Sequence, residues 1–332
     1  NLAIKYINPN IIILPQIRND SPYFQKMLNT AYDKKIKIIV FPSESLDYRK
    51  EYLENEFPEK ILDKIEKIFL WSAEQGQFIS EQHKKKIVIT GNNRFDSRVL
   101  SSSGKVKTIG IISSGRYLAP QTGNYNVLHW INSRNKVDPS GFEEGIISIK
   151  TEVEFIDFTC KIINLAKDIN IKVIFKPHPF EKASLYKEAF PNLIIEDNPD
   201  IRVFLEKVDV CINQMSSANL QAFAHKIPVI NINNALELSK TIRDYNENYF
   251  PTLLGIPINN LDELKKLLTK YNIEDLFKMN IERGDLKVLE DRVPKYATSK
   301  IISDEISKIN LKPSKKNFFH FFHYLIKEVY LL

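Results

Sequence analysis

Cysteine is scarce: the 332 residues contain only Cys160 and Cys211, and neither has a second cysteine or a histidine at metal-ligand spacing. A disulfide scaffold and a structural zinc site are therefore not expected, and a reducing, cytoplasmic setting is. No stretch reaches the roughly 18 to 20 uninterrupted apolar residues of a membrane span. The N-terminus lacks the zoned pattern of a signal peptide. The chain opens on Asn1 rather than Met, so a trimmed N-terminal piece is expected. Internal repeats and low-complexity tracts are also missing. The net charge of +6 is a mild excess, favouring anionic ligands or an anionic membrane surface. It is too diffuse for nucleic acid, which asks for a clustered basic face.

What is present is an ordinary globular composition, 43% hydrophobic and 27% charged, in a chain long enough for two domains with a core in each. Disordered and collagen-like classes are excluded. Short apolar runs alternate with amphipathic stretches, the βαβα signature of a mostly parallel sheet with helices on both faces. Strands are predicted over 11–14, 36–41, 67–71, 87–90, 108–112, 173–175, 193–195, 209–212 and 229–232. Helices are predicted over 23–33, 58–65, 152–168, 201–206, 218–224, 261–268 and 299–309. The pattern breaks over 92–107, around Ser101-Ser102-Ser103-Gly104, before a second α/β series begins. The predicted layout is therefore a Rossmann-like domain over 1–104, a second over 105–312 and a terminal aromatic and basic helix over 313–332. The stretch from Arg116 to Lys150, with Pro120, Gly123, Pro139, Gly141 and Gly145, reads as a long substrate loop.

Two motifs sit at predicted strand ends in the second series. Lys176-Pro177-His178-Pro179 follows Val173-Ile174-Phe175, and Asn213-Gln214-Met215-Ser216-Ser217 follows the run from Val208 to Ile212. The carboxyl edge of an open parallel sheet is where ligands bind. Serines at a helix start offer hydroxyls and backbone N–H groups to an anion, so the inferred ligand is a phosphate. Flanking prolines restrict the backbone on both sides of His178 and hold its ring at the sheet edge. The alternative is a histidine capping the helix that begins near Lys182. Lys176 either adds charge at the same phosphate or is simply solvated, and Glu181 bonds a ribose or holds the loop. Ser216 and Ser217 are N-caps, phosphate ligands or one of each. Gln214 is placed to read a sugar or base edge, and Asn213 to do that or to stabilise the turn.

Three segments resemble a known group. Gly91-Asn92-Asn93-Arg94-Phe95-Asp96, with Asn93 at a proline position, is similar to the G-N-P-R-F-D segment of bacterial surface-carbohydrate biosynthesis proteins that include β-Kdo transferases. Lys176-Pro177-His178-Pro179 resembles their HP motif. Gln214-Met215-Ser216-Ser217, followed by Ala222 to Val229, resembles their serine motif and the helix-to-strand step after it. The resemblance implies a GT-B glycosyltransferase that transfers an acidic sugar, Kdo, from a CMP-sugar donor to a growing surface polysaccharide or lipid-linked glycan. It implies that His178, Ser216 and Ser217 hold the phosphate or the sugar carboxylate, with Gln214 and Lys176 assisting. No metal or cofactor beyond the nucleotide-sugar donor is required, since fixed donors can stabilise the leaving phosphate. The partners expected are that donor and a glycan or glycolipid acceptor.

Sugar transfer needs a carboxylate at the anomeric carbon, as base or as nucleophile. Glu44, in Phe41-Pro42-Ser43-Glu44-Ser45, is the first candidate and resembles the family's acidic segment; a turn acid is the competing reading. Asp96 is the second, unless it only pairs with Arg94. Glu143 and Glu144 in the long loop are the third. In the tail, Phe318, Phe319, Phe321 and Phe322 follow Lys315 and Lys316. They fit either a helix lying on the inner face of the membrane or one packing back on the other domain. His320 and His323 share a helix face but lack a carboxylate for a metal. Two other functions remain open: a CDP-glycerol-type glycerophosphotransferase, and a non-catalytic nucleotide-sugar-binding protein of the same fold.

Overall fold

The computed structural model describes residues 9–15, 17, 22–42, 56–92, 103–113, 115, 118–120, 141–214, 216–237, 253–293 and 298–309, with 141–145 as backbone alone. The chain divides into two compact units. The first runs to Ser97 and resumes at Leu286, and the second runs from Arg98 to Asp285.

In the first unit, strands β1 (Ile11–Leu14), β2 (Lys37–Val40), β3 (Lys67–Leu70) and β4 (Ile87–Ile89) form a parallel sheet in sequential order. Their near-continuous apolar runs are what a sheet covered on both faces requires. Side chains alternate between faces, and the two cores separate accordingly. Leu14, Ile38, Val40, Ile68 and Leu70 pack with Leu28 and Ala31 of α1 (Pro22–Asp33) and Ile61 and Leu62 of α2 (Glu59–Leu62). Ile39 and Phe69 face the other way, against Ile302, Ile306 and Ile309. A short helix, α3 (Glu81–Lys84), precedes β4.

The second unit holds β5 (Thr108–Ile112), β6 (Lys172–Lys176), β7 (Ile194–Ile195), β8 (Val210–Asn213), β9 (Val229–Asn231) and β10 (Ile256–Pro257). Their order across the sheet is β10-β9-β8-β5-β6-β7, all parallel. The connecting helices are α4 (Gly141–Asp168), α5 (Ala183–Ala189), α6 (Ile201–Leu205), α7 (Ala218–Ala224), α8 (Leu261–Lys270) and α9 (Ile273–Glu282). Phe155, Phe158, Ile162 and Ala166 repeat every three or four residues along α4, so one stripe of the helix enters the core with Ile109, Ile111 and Phe175. The two-domain, parallel-sheet α/β class predicted from the sequence is the observed one.

Two expectations change. The part of the predicted loop from Gly141 onward is the start of α4; residues 121–140 lie outside the described ones. The range 105–312 assigned to the second domain also gives up its end. After α10 (Asp285–Arg292), helix α11 (Thr298–Ser307) belongs to the first unit, where it covers the second face of that sheet. Thr298 donates its hydroxyl to the Thr90 carbonyl at 2.6 Å, Lys67 pairs with Glu305 at 3.0 Å, and Arg292 pairs with Glu74 at 3.3 Å.

The centre of the second sheet depends on a missing side chain. A Cβ at Gly110 would stand 2.4 Å from Phe204 Cζ and 2.9 Å from Val208 Cγ1. Gly110→Ala is therefore expected to destabilise by about 2 kcal/mol through overpacking. That exceeds the roughly 0.4–1 kcal/mol gained from a stiffer unfolded chain. Urea unfolding should show a lower midpoint with an unchanged slope.

Candidate functional site

β5 comes first in the second unit's sheet and lies in its middle. From it the chain winds outward through β6 and β7, then returns to build β8, β9 and β10 on the other side. Such a reversal of strand order marks the carboxyl ends of β5 and β8 as the place where open α/β sheets bind ligands. Register fixes the rest. Lys176 and Asn213 are both paired with Ile112, and Asn213 is paired with Asn231. The histidine and serine motifs therefore leave the sheet from one row, on strands two spacings apart, or about 10 Å.

The histidine turn is tied from within. The His178 N–H donates to Glu181 Oε2 at 2.6 Å, and the Glu181 N–H returns to the His178 carbonyl at 2.8 Å. The Phe180 N–H donates to His178 Nδ1 at 3.2 Å. An accepting Nδ1 puts the proton of the neutral ring on Nε2, which makes Nε2 the donor. The Phe180 ring lies 5.1 Å from the imidazole. Outside the turn, Glu181 bridges Pro120 and the Lys182 N–H donates to the Ala119 carbonyl at 2.6 Å.

Glu181 is only 2% exposed. Burial pushes its carboxyl up to about 7, against the pull of hydrogen bonds from the Tyr186 hydroxyl, the His178 N–H and the Ser113 hydroxyl. Burial, and next the Glu181 charge, raise the Tyr186 hydroxyl as well. Of the two roles open to Glu181 in the sequence, holding the loop is the one its contacts serve. The signal was an acid three residues after the histidine.

Lys176 is placed differently from its expected part in phosphate binding. Its ammonium is buried and donates to the Asn198 carbonyl at 2.6 Å, beyond β7. Burial lowers its pKa, while Glu196, Asp197 and Asp200 oppose that shift. The charge is thus used to tie down the segment between β7 and α6.

At the serine motif, Asn213 Oδ1 accepts the Ser216 N–H at 3.0 Å and Asn219 Nδ2 at 3.1 Å. Ser216 Oγ accepts the Ala218 N–H at 3.2 Å, and the Ser216 carbonyl accepts the Asn219 N–H at 3.0 Å. The expected cradle of unengaged backbone N–H groups is therefore largely consumed by the turn, with Asn213 as its organiser. Ser216 does the capping. Ser217 is the N-cap residue by position but makes no side-chain capping bond. Gln214 is 3% exposed, and its carbonyl accepts Asn231 Nδ2 at 3.3 Å.

No protein-family model matches the chain, and no curated protein does. Among solved structures, a histidine-to-asparagine variant of the wall teichoic acid polymerase TagF soaked with CDPG superposes with a TM-score of 0.50 at 15% identity, over 90% of this chain and 71% of that one. The two share a fold. The same variant without the soak gives a TM-score of 0.49 at 14% identity, over 92% and 83%. S. aureus MnaA with UDP gives 0.48 at 14%, over 95% and 81%.

Glu44 and Asp96 lie outside the described residues. The chain before each is anchored. Trp71 Nε1 donates to the Pro42 carbonyl at 2.8 Å, and Gly91 turns at φ 70°, a conformation that favours glycine. Glu143 and Glu144 belong to helix α4, with their side chains outside the described set. The tail over 313–332, with His320 and His323, is likewise outside it. Among the described residues no group of three or more metal-ligating side chains assembles, and no helix is long and apolar enough to cross a membrane.

Proposed function

We propose that the chain is a glycosyltransferase taking a cytidine-nucleotide donor at the carboxyl edge of its second sheet, with CMP-Kdo as that donor and a surface polysaccharide or lipid-linked glycan as acceptor. The observation that carries this reading is the common register of the histidine and serine motifs on either side of β5. Nε2–H of His178 and the hydroxyl of Ser217 supply donors to the phosphate, which accumulates charge as the glycosidic bond to it breaks. Gln214 contributes at the base or sugar. Lys176, engaged at Asn198, acts on the frame rather than on the phosphate. Glu44 and then Asp96 remain the proposed carboxylates for the anomeric carbon. The terminal segment over 313–332 supplies the proposed contact with an anionic membrane surface.

A second reading is a CDP-glycerol-type glycerophosphotransferase. It is favoured by the shared fold with TagF, which was solved after soaking with CDPG. Both readings require a cytidine nucleotide, so one experiment addresses them. In a thermal-shift panel of CMP, CDP, UDP and GDP, ligand at about 100 times its Kd adds about 2.7 kcal/mol of stability, a rise of several degrees. CMP is expected to give the largest rise. A larger rise with CDP moves the assignment to the second reading, and a UDP response with none to CMP removes both.

A further inference from the structure

We propose that Glu181 is a positioning residue for His178, its buried carboxylate fixing the histidine's peptide N–H and through it the place from which Nε2 donates. The inference rests on the reading of His178 as a phosphate ligand and goes beyond it. Three residues from two neighbouring segments surround this one group. Tyr186, from α5, donates its hydroxyl to Oε1. Ser113, at the end of β5, lies within hydrogen-bonding reach and also accepts the Gly115 N–H at 3.1 Å. Gly115 itself comes so near that a Cβ there would stand 2.4 Å from Glu181 Oε1. On the fourth side, Oε2 takes the His178 N–H at 2.6 Å.

A buried carboxylate is an expensive way to close a turn, because desolvation must be offset by donors before anything is gained. A neutral acceptor would close the same turn more cheaply. What the carboxylate adds is a stronger, charge-assisted hold on one N–H, in the residue whose ring is also held at Nδ1 by the Phe180 N–H. The imidazole is thereby fixed from both its backbone and its ring. Glu152 of α4 also acts on Glu181 and favours its protonated form, as burial does. With the carboxyl raised to about 7, lowering the pH through that region adds a proton and weakens the hold, and raising the pH restores it progressively.

The test is Glu181→Gln, which keeps the shape and removes the charge. At about pH 8, CMP affinity measured by calorimetry is expected to fall about tenfold, and the gap to wild type should close towards about pH 6, where the wild-type carboxyl is also neutral. Ring-nitrogen NMR shifts of His178 in nucleotide-free protein should change from one Nε2–H tautomer to a mixture. Tyr186→Phe, which leaves the carboxylate in place, should shift both readouts the same way by a smaller amount, and it carries the measurement should the Gln variant not fold. Unchanged ring-nitrogen shifts and unchanged CMP affinity in a folded variant overturn the proposal. If wild-type protein binds no CMP, the donor reading fails, while the nitrogen shifts still decide whether Glu181 positions His178.

Discussion

Replacing His178 by alanine is expected to weaken cytidine-nucleotide binding about 10- to 100-fold while leaving the fold intact. A hydrogen bond from the imidazole to a charged phosphate contributes about 1.5–3 kcal/mol, and each 1.4 kcal/mol is a factor of ten. The structural loss is smaller, because the Phe180 N–H that donates to Nδ1 sits in an exposed turn where water can replace the ring. The two nitrogens can be separated. An asparagine side chain can place its oxygen near Nδ1 and keep the Phe180 bond, but it has nothing at Nε2. A glutamine reaches the Nε2 position with an N–H. Nucleotide affinity by calorimetry should therefore stay within about threefold of wild type in His178→Gln and fall with alanine in His178→Asn. Equal losses in both variants would mean that the ring acts through turn geometry and not through Nε2.

That experiment is possible because the strand ends are legible in the sequence. β1, β5 and α7 have the boundaries predicted from the sequence, and the other predicted strands differ by one or two residues at their ends. Runs of isoleucine and valine suit strands buried on both faces, as in a covered parallel sheet, and their alternation with amphipathic stretches points to that topology class. Elsewhere a local signal misled. Gly141 and Gly145 point to a loop by residue type, yet both lie in α4, where glycine costs about 1 kcal/mol against alanine and the packing of the helix outweighs it. Helix α9 was missed although its start is written in the chain: Asn272 and Asp275 form a reciprocal capping box at 2.8 and 3.4 Å.

Other features had no local signal to find. The apolar face of α11 is visible in the sequence as Ile302 and Ile306, with Ile309 just after the helix, but nothing in those residues names the sheet they cover. The role of Lys176 was equally hidden, since a lysine at a strand end looks the same whether its ammonium meets a ligand or, as here, the carbonyl of Asn198. Glu181 shows the limit most sharply. Its partners His178 and Tyr186 are close in sequence, whereas Ser113 and Gly115 reach it only because β5 and β6 are neighbours.

The largest expected loss of stability falls on a residue with no part in the chemistry, Asn280. Its carboxamide takes the Val229 N–H at 3.1 Å and donates to the Val229 carbonyl at 3.2 Å, so it acts as one more residue of β10 just ahead of the point where that strand begins. Its amide also donates to Asp285 Oδ2 at 3.1 Å, and the same oxygen takes the Gly255 N–H at 3.0 Å. Burial raises the Asp285 carboxyl, and these donors oppose the shift. Asn280→Ala gains about 0.5 kcal/mol in helix propensity. It strands two buried backbone groups, each worth about 1–3 kcal/mol, so a net loss of about 3 kcal/mol is expected, a large share of a typical domain's stability. Asn280→Asp should be worse near neutral pH, because a carboxylate cannot donate to the Val229 carbonyl and stands beside Asp285. It should recover part of the difference as the pH is lowered and the pair takes up a proton. Urea unfolding of the two variants at two pH values reads both effects. Wild-type stability in Asn280→Ala would mean that β10 alone holds the outer edge of β9.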